Sequence, residues 1–186
     1  ATIGKRPGSV VITGFRADEI TGEEKPQFTA KGGRADFDYD ANRITLTDSR
    51  ERHWPEVEFG EGQSRDRITD GNLVFVFTQV KPAAQAILRP NQRQGTETVL
   101  DSLTTFGGRG EVVLRSQGVG ETTVVKYKGE MNYNRTEGRI RFQDSVDLRR
   151  GDLGIQSELL DIRLTSDGTS VEPNQVDRIT AEPDVE

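Results

Sequence analysis

Between Thr123 and Leu148 the chain alternates apolar and polar residues with a period of two, the spacing of a strand with one buried and one wet face. Val125, Tyr127, Gly129, Met131 and Tyr133 fall on one side, and Lys126, Lys128, Glu130 and Asn132 on the other. Turn-forming residues from Asn134 to Gly138 interrupt the pattern. It resumes with Ile140, Phe142, Val146 and Leu148 set against Arg139, Arg141, Gln143, Asp147 and Arg149, which predicts a hairpin or meander. After Gly151-Asp152 a third strand carries Leu153, Ile155 and Leu159, then changes phase to Leu160, Ile162 and Leu164. A β-bulge near 159–160 is expected to absorb the change.

The first part of the chain follows the same logic. Phe28 and Ala30, then Ala35, Phe37 and Tyr39, then Ile44 and Leu46 alternate with polar neighbours. Laying residues 33–51 over 129–147 matches Gly33 with Gly129, Arg43 with Arg139, Ile44 with Ile140, Asp48 with Asp144 and Ser49 with Ser145, which predicts a structural repeat. Residues 60–119 are less regular. Leu73 to Phe77 is apolar on both faces, and the Ala-rich stretch between Pro82 and Pro90 suits a short helix or an edge strand. The expectation is one all-β domain over 1–186, an elongated stack of antiparallel strands with at most one short helix. Two related halves, about 8–59 and 120–186, are joined by 60–119.

Only 32% of the residues are hydrophobic and 30% are charged, with a mean hydropathy of -0.68. A core drawn from so few apolar residues is thin for the surface that it supports, which favours an elongated body over a sphere. The formal charge is -6 and the basic residues are scattered, so electrostatic binding to nucleic acid is not expected. The longest apolar run, Leu73 to Phe77, is far short of the roughly 20 residues that span a bilayer. The N-terminus lacks the apolar centre of a signal peptide, so a leader is expected to have been removed or the chain to be an excised piece.

Catalytic and metal-binding classes find little material. The chain has no cysteine and one histidine, His53, which leaves no thiolate chemistry, histidine metal cluster or histidine-based triad. The run Asp36-x-Asp38-x-Asp40-x-Asn42 has the spacing of a calcium loop, but Ala41 stands where the loop needs glycine and Thr47 where it needs glutamate. The solvated face of a strand is the simpler reading. Gly118-Val119-Gly120 lacks the lysine of a phosphate-binding loop, and Asn134-Arg135-Thr136 reads as a turn that happens to match a glycosylation sequon. No catalytic residue, metal site or cofactor is expected.

Val10-Val11-Ile12-Thr13-Gly14-Phe15, Lys25-Pro26-Gln27-Phe28-Thr29-Ala30 and the Ala35-x-Phe37 to Ile44-x-Leu46 hairpin resemble the opening of LptC-like domains. Gly129-x-Met131-x-Tyr133, Gly138-x-Ile140-x-Phe142, Val146, Gly151-Asp152 and the closing Val176-Asp177-Arg178-Ile179-Thr180-Ala181 are similar to the OstA-like pattern of LptA. The chain thus resembles the OstA-like LptA/LptC family of periplasmic lipopolysaccharide-transport proteins over about 8–59 and 120–186. The resemblance implies a β-jellyroll or folded β-stack whose groove takes lipopolysaccharide or a related lipid. It also implies a periplasmic setting, related β-jellyroll transport proteins as partners, and head-to-tail self-association. An inner-membrane tether, which LptC-like members carry, would have to lie upstream of Ala1. Pro183, which follows the closing motif, counts against further strand pairing at that edge.

Under that resemblance the candidate groove residues are Phe37, Ile44, Leu46, Tyr133, Ile140, Phe142, Val146, Leu159 and Ile162. Leu73, Phe75 and Phe77 are candidates for a groove mouth or partner surface. The same residues would form the core of a closed sandwich that binds a protein by edge-strand pairing, and periodicity does not separate the two cases. A sugar-binding sandwich is a weaker third reading, because aromatic residues make up only 6% of the chain.

Overall fold

Alternation along the chain becomes alternation across a sheet that is folded double. The computed structural model describes residues 2–6, 9–17, 24–48, 54–59, 65–80, 97–115, 122–164 and 176–182. They form β1 (Thr2–Arg6), β2 (Ser9–Ala17), β3 (Glu24–Gly32), β4 (Arg34–Asp38), β5 (Arg43–Thr47), β6 (Glu56–Phe59), β7 (Asp66–Thr69) and β8 (Asn72–Val80). There follow β9 (Glu97–Phe106), β10 (Gly110–Arg115), β11 (Thr122–Tyr127), β12 (Met131–Asn134), β13 (Arg139–Arg150), β14 (Leu153–Leu164) and β15 (Val176–Glu182). All belong to one antiparallel sheet, and no helix occurs among the described residues.

The pairing shows how the sheet folds. The first part of β13 pairs with β12, its last part pairs with β11, and β14 follows it on the other side along its whole length. β13 and β14 therefore bend from one wall of the fold into the other. The strand pairs β3–β4, β5–β6, β7–β8, β9–β10 and β11–β12 make the same crossing, each with its break at the bend. The result is seven V-shaped rungs. One wall is β4-β5-β8-β9-β12, continued by the first part of β13, the second part of β14 and β15. The other is β1-β2-β3-β6-β7-β10-β11, continued by the remaining parts of β13 and β14. β1 and β2 extend only the second wall and β15 only the first, so the two ends of the stack are stepped.

Backbones approach closely along the bend, and small residues make that possible. A Cβ on Gly71 would come within 2.7 Å of the Gly107 carbonyl oxygen, so two successive bends nest only as glycine. At Gly110 a Cβ would come within 2.0 Å of Tyr127 Cζ. Backbone hydrogen bonds tie the bends to one another, from Asp70 N–H to Pro55 O at 3.2 Å and from Lys128 N–H to Asp144 O at 2.8 Å.

Two local expectations change. Thr123 to Tyr133 reads as one strand in sequence, yet β11 and β12 lie in different walls, separated by Lys128-Gly129-Glu130. Tyr127 and Met131 are both inward and four positions apart, so the alternation runs through the bend without a visible break. The extra residue expected near 159–160 lies instead in β13. Asp144 and Ser145, both at positive φ (63° and 51°), stand opposite Glu158 between the Gln143–Leu159 and Val146–Ser157 pairs. The phase change in β14 is the strand turning from one wall into the other.

The β4–β5 and β12–β13 hairpins share one design. Each is closed by a four-residue turn whose last residue, Asn42 or Gly138, has a left-handed backbone (φ 48° and 56°). The Ala-rich segment between Pro82 and Pro90, the Gly118–Gly120 turn and His53 lie outside the described residues.

Candidate functional site

The space between the two walls is apolar from the bend outwards. Side chains nearest the bend are sealed: Leu46, Leu73, Met131, Phe142 and Leu160 have no exposed surface. Further along the same strands exposure returns while the apolar character persists. Ile44 follows Leu46, Phe77 follows Phe75, Leu114 follows Val112, Tyr133 follows Met131, and Leu164 follows Ile162, each half-buried against the core. Burial thus falls from a closed spine to an apolar seam on the opposite side, where the turns at 39–42, 135–138 and 151–152 also lie.

The structure distributes the sequence candidates along this gradient. Leu46, Ile140, Phe142, Val146, Ile162, Leu73 and Phe75 are buried, and Phe37, Ile44, Tyr133 and Phe77 are half-buried towards the seam. Leu159 stands apart. It pairs with exposed Gln143 outside the apolar cluster, and Leu160 takes the inner position, because β14 has changed walls one residue earlier. Sequence reading missed the rim residues Leu100 and Leu114 in the irregular middle segment. Period-two spacing from Val112 would have pointed to Leu114, whereas Leu100 lies an odd step from Leu103, across the register shift opposite Val76 and Phe77.

Aromatic rings bridge the walls at one end of the stack. Phe28 on β3 stacks on Phe75 and Phe77 of β8 with ring centroids 5.9 and 6.0 Å apart, and packs beside its register partner Phe59 at 6.2 Å. Phe37 stacks with Tyr39 at 6.3 Å, leaving Tyr39 84% exposed on the β4–β5 turn.

At the bend Asp70, Thr105 and Tyr127 satisfy one another's buried polar groups. The Thr105 hydroxyl donates to Asp70 Oδ2 at 2.8 Å and is hydrogen-bonded to the Tyr127 hydroxyl, while Gly71 N–H donates to Asp70 Oδ1 at 2.6 Å. Burial pushes the Tyr127 hydroxyl well above the ordinary phenol range. The three side chains come from three consecutive bends and tie them together. Their wide separation in sequence hid the grouping.

The outer faces are wet and ion-paired. Arg34 pairs with Asp36 and Arg43 with Asp38, so the aspartate run in β4 has its counter-ions on neighbouring strand positions. The Asn134 side chain accepts the Glu137 N–H at 3.0 Å, capping its turn. A shallow polar depression of about 300 Å³ lies over β12 and β13, lined by Asn132, Asn134, Arg139, Arg141 and two glutamates. Arg139 Nε donates to Asp161 Oδ1 at 2.7 Å and Arg141 Nε to the same oxygen at 3.2 Å. The Arg139 hydrogen bonds foremost, followed by those of Arg141, hold the Asp161 carboxyl down at about 2 against the pull of partial burial.

Because that pKa is depressed, the stabilisation from Asp161 is full above about pH 4 and fades as pH falls towards 2. Asp161→Asn should flatten this part of the acid limb in urea melts at a series of pH values. The change should stay below about 1 kcal/mol, since both arginines are partly solvated. An acid limb identical to that of the parent would remove Asp161 from the account.

No protein-family model and no curated relative matches the sequence. Among solved structures, the chain is similar to LptH, described as the LptA-homologous periplasmic component of the lipopolysaccharide transport device of Pseudomonas aeruginosa. The match has a TM-score of 0.51 and 11% identity, and covers 84% of this chain and 95% of that one. At that identity the likeness is one of fold. The chain is an all-β protein with the folded antiparallel architecture of LptA-like β-jellyrolls.

Proposed function

We propose that this chain is a non-catalytic carrier or bridge module that holds acyl chains of lipopolysaccharide, or of a related lipid, between its two walls. The observation that carries the reading is the burial gradient: one apolar face runs from a sealed spine to a half-exposed seam on both walls. Among the described residues all ladder hydrogen bonds run within a wall, so parting the seam there costs side-chain contacts but no ladder pairing. An acyl chain that enters replaces those contacts in kind, at about 0.8 kcal/mol for each methylene taken from water. Movement of lipid needs no chemistry here, and its energy would come from another component.

The LptH likeness supports a periplasmic setting and related β-jellyroll proteins as partners. The stepped ends support head-to-tail contact, because β4 at one end and β15 at the other each present an unpaired edge among the described residues. Those same edges favour a second reading, in which the walls stay closed and the module binds a protein by strand addition.

The two readings separate at the rim. With a photo-crosslinking residue at Leu164 or at its outward neighbour Arg163, lipopolysaccharide should be captured at Leu164 and not at Arg163. Phe142 is a poor reporter, because it is sealed beside the bend. Equal labelling of folded protein at both sites, or none at either, would favour the closed module.

A further inference from the structure

We infer, resting on the carrier reading, that the two ends of the groove differ: an aromatic clamp shuts the first three rungs, and the acyl chains of the lipid lie in the last four. In the first three rungs the walls touch through rings. Phe28 of one wall stacks on Phe75 and Phe77 of the other, and Phe59 packs against Phe28. In the last four rungs the seam is lined by Leu100, Leu114, Tyr133, Ile155 and Leu164, with Tyr133 the one aromatic among those described.

The energetics differ accordingly. Exchanging an aliphatic contact for a methylene of a lipid trades like for like. Parting stacked rings forfeits their preferred geometry as well as their buried area. Lipid therefore enters where the rim is aliphatic, and the clamp holds the first rungs together while it does so.

The test uses the intact chain with a photo-crosslinking residue at Leu114 or at Phe59, and purified lipopolysaccharide as the probe. Both positions are compared in the parent and in a Phe28→Leu/Phe77→Leu background, with folding checked by circular dichroism; Phe77→Leu alone serves if the pair does not fold. Capture at Leu114 should exceed that at Phe59 by about ten-fold in the parent, the ratio that one or two ring contacts sustain. Loosening the clamp should raise capture at Phe59 towards the level at Leu114. Equal capture in the parent, or a Phe59 position that stays unlabelled once the rings are gone, overturns the clamp and leaves the carrier standing. No capture at either position overturns both.

Discussion

Gly110→Ala is expected to destabilise the protein by about 2–3 kcal/mol, far more than the usual cost of one methyl group on a strand. The Cβ would occupy space held by Cε2, Cζ and Oη of Tyr127. The ring cannot retreat without leaving Thr105 and, through it, Asp70, which are both fully buried. An unsatisfied buried hydroxyl or carboxylate adds its own penalty to the overpacking. Tyr127→Leu removes the three crowding atoms. In that background Gly110→Ala should cost less than about 0.5 kcal/mol, a coupling that a double-mutant cycle in urea measures directly. Strictly additive costs would mean that the bend relaxes and that the tyrosine does not lock it.

Phe75→Ala is expected to cost about 3–5 kcal/mol, and Phe77→Ala on the same strand only about 1–2 kcal/mol. Phe75 is 1% exposed and stacks on Phe28 across the walls, while Phe77 sits at the half-exposed seam. Chemical denaturation of the two variants reads the burial gradient as energy. Similar losses for both would mean that the interior is uniformly closed, which would weaken the case for an openable seam. A loss of that smaller size at Phe77, by contrast, fits a ring that holds the seam shut without carrying the core.

Much of the inner surface was legible before any coordinates. Period two placed Phe28, Ala30, Phe37, Ile44, Leu46, Tyr127, Met131, Ile140, Phe142, Val146 and Leu148 on inward faces, because a strand that buries one side must alternate. The bends were legible only when they shifted that alternation. In β14 the inward set passes from Ile155 to Leu160, an odd step, and the phase change is visible. Between β11 and β12 the step from Tyr127 to Met131 is even, so a crossing between walls looked like one long strand. Leu159 was misplaced for the same reason: one residue beyond a bend, the rule that assigns faces has reversed.

The residue pattern by itself determined the class of fold and most of its inner face, because apolar burial imposes a period on each strand. The tertiary structure decided where each strand bends, which residues form the sealed spine and which the seam, and that Asp70, Thr105 and Tyr127 meet at all. These depend on pairing between strands far apart in the chain. A period records only which way a side chain points along its own strand, and not what stands on the other side of the groove.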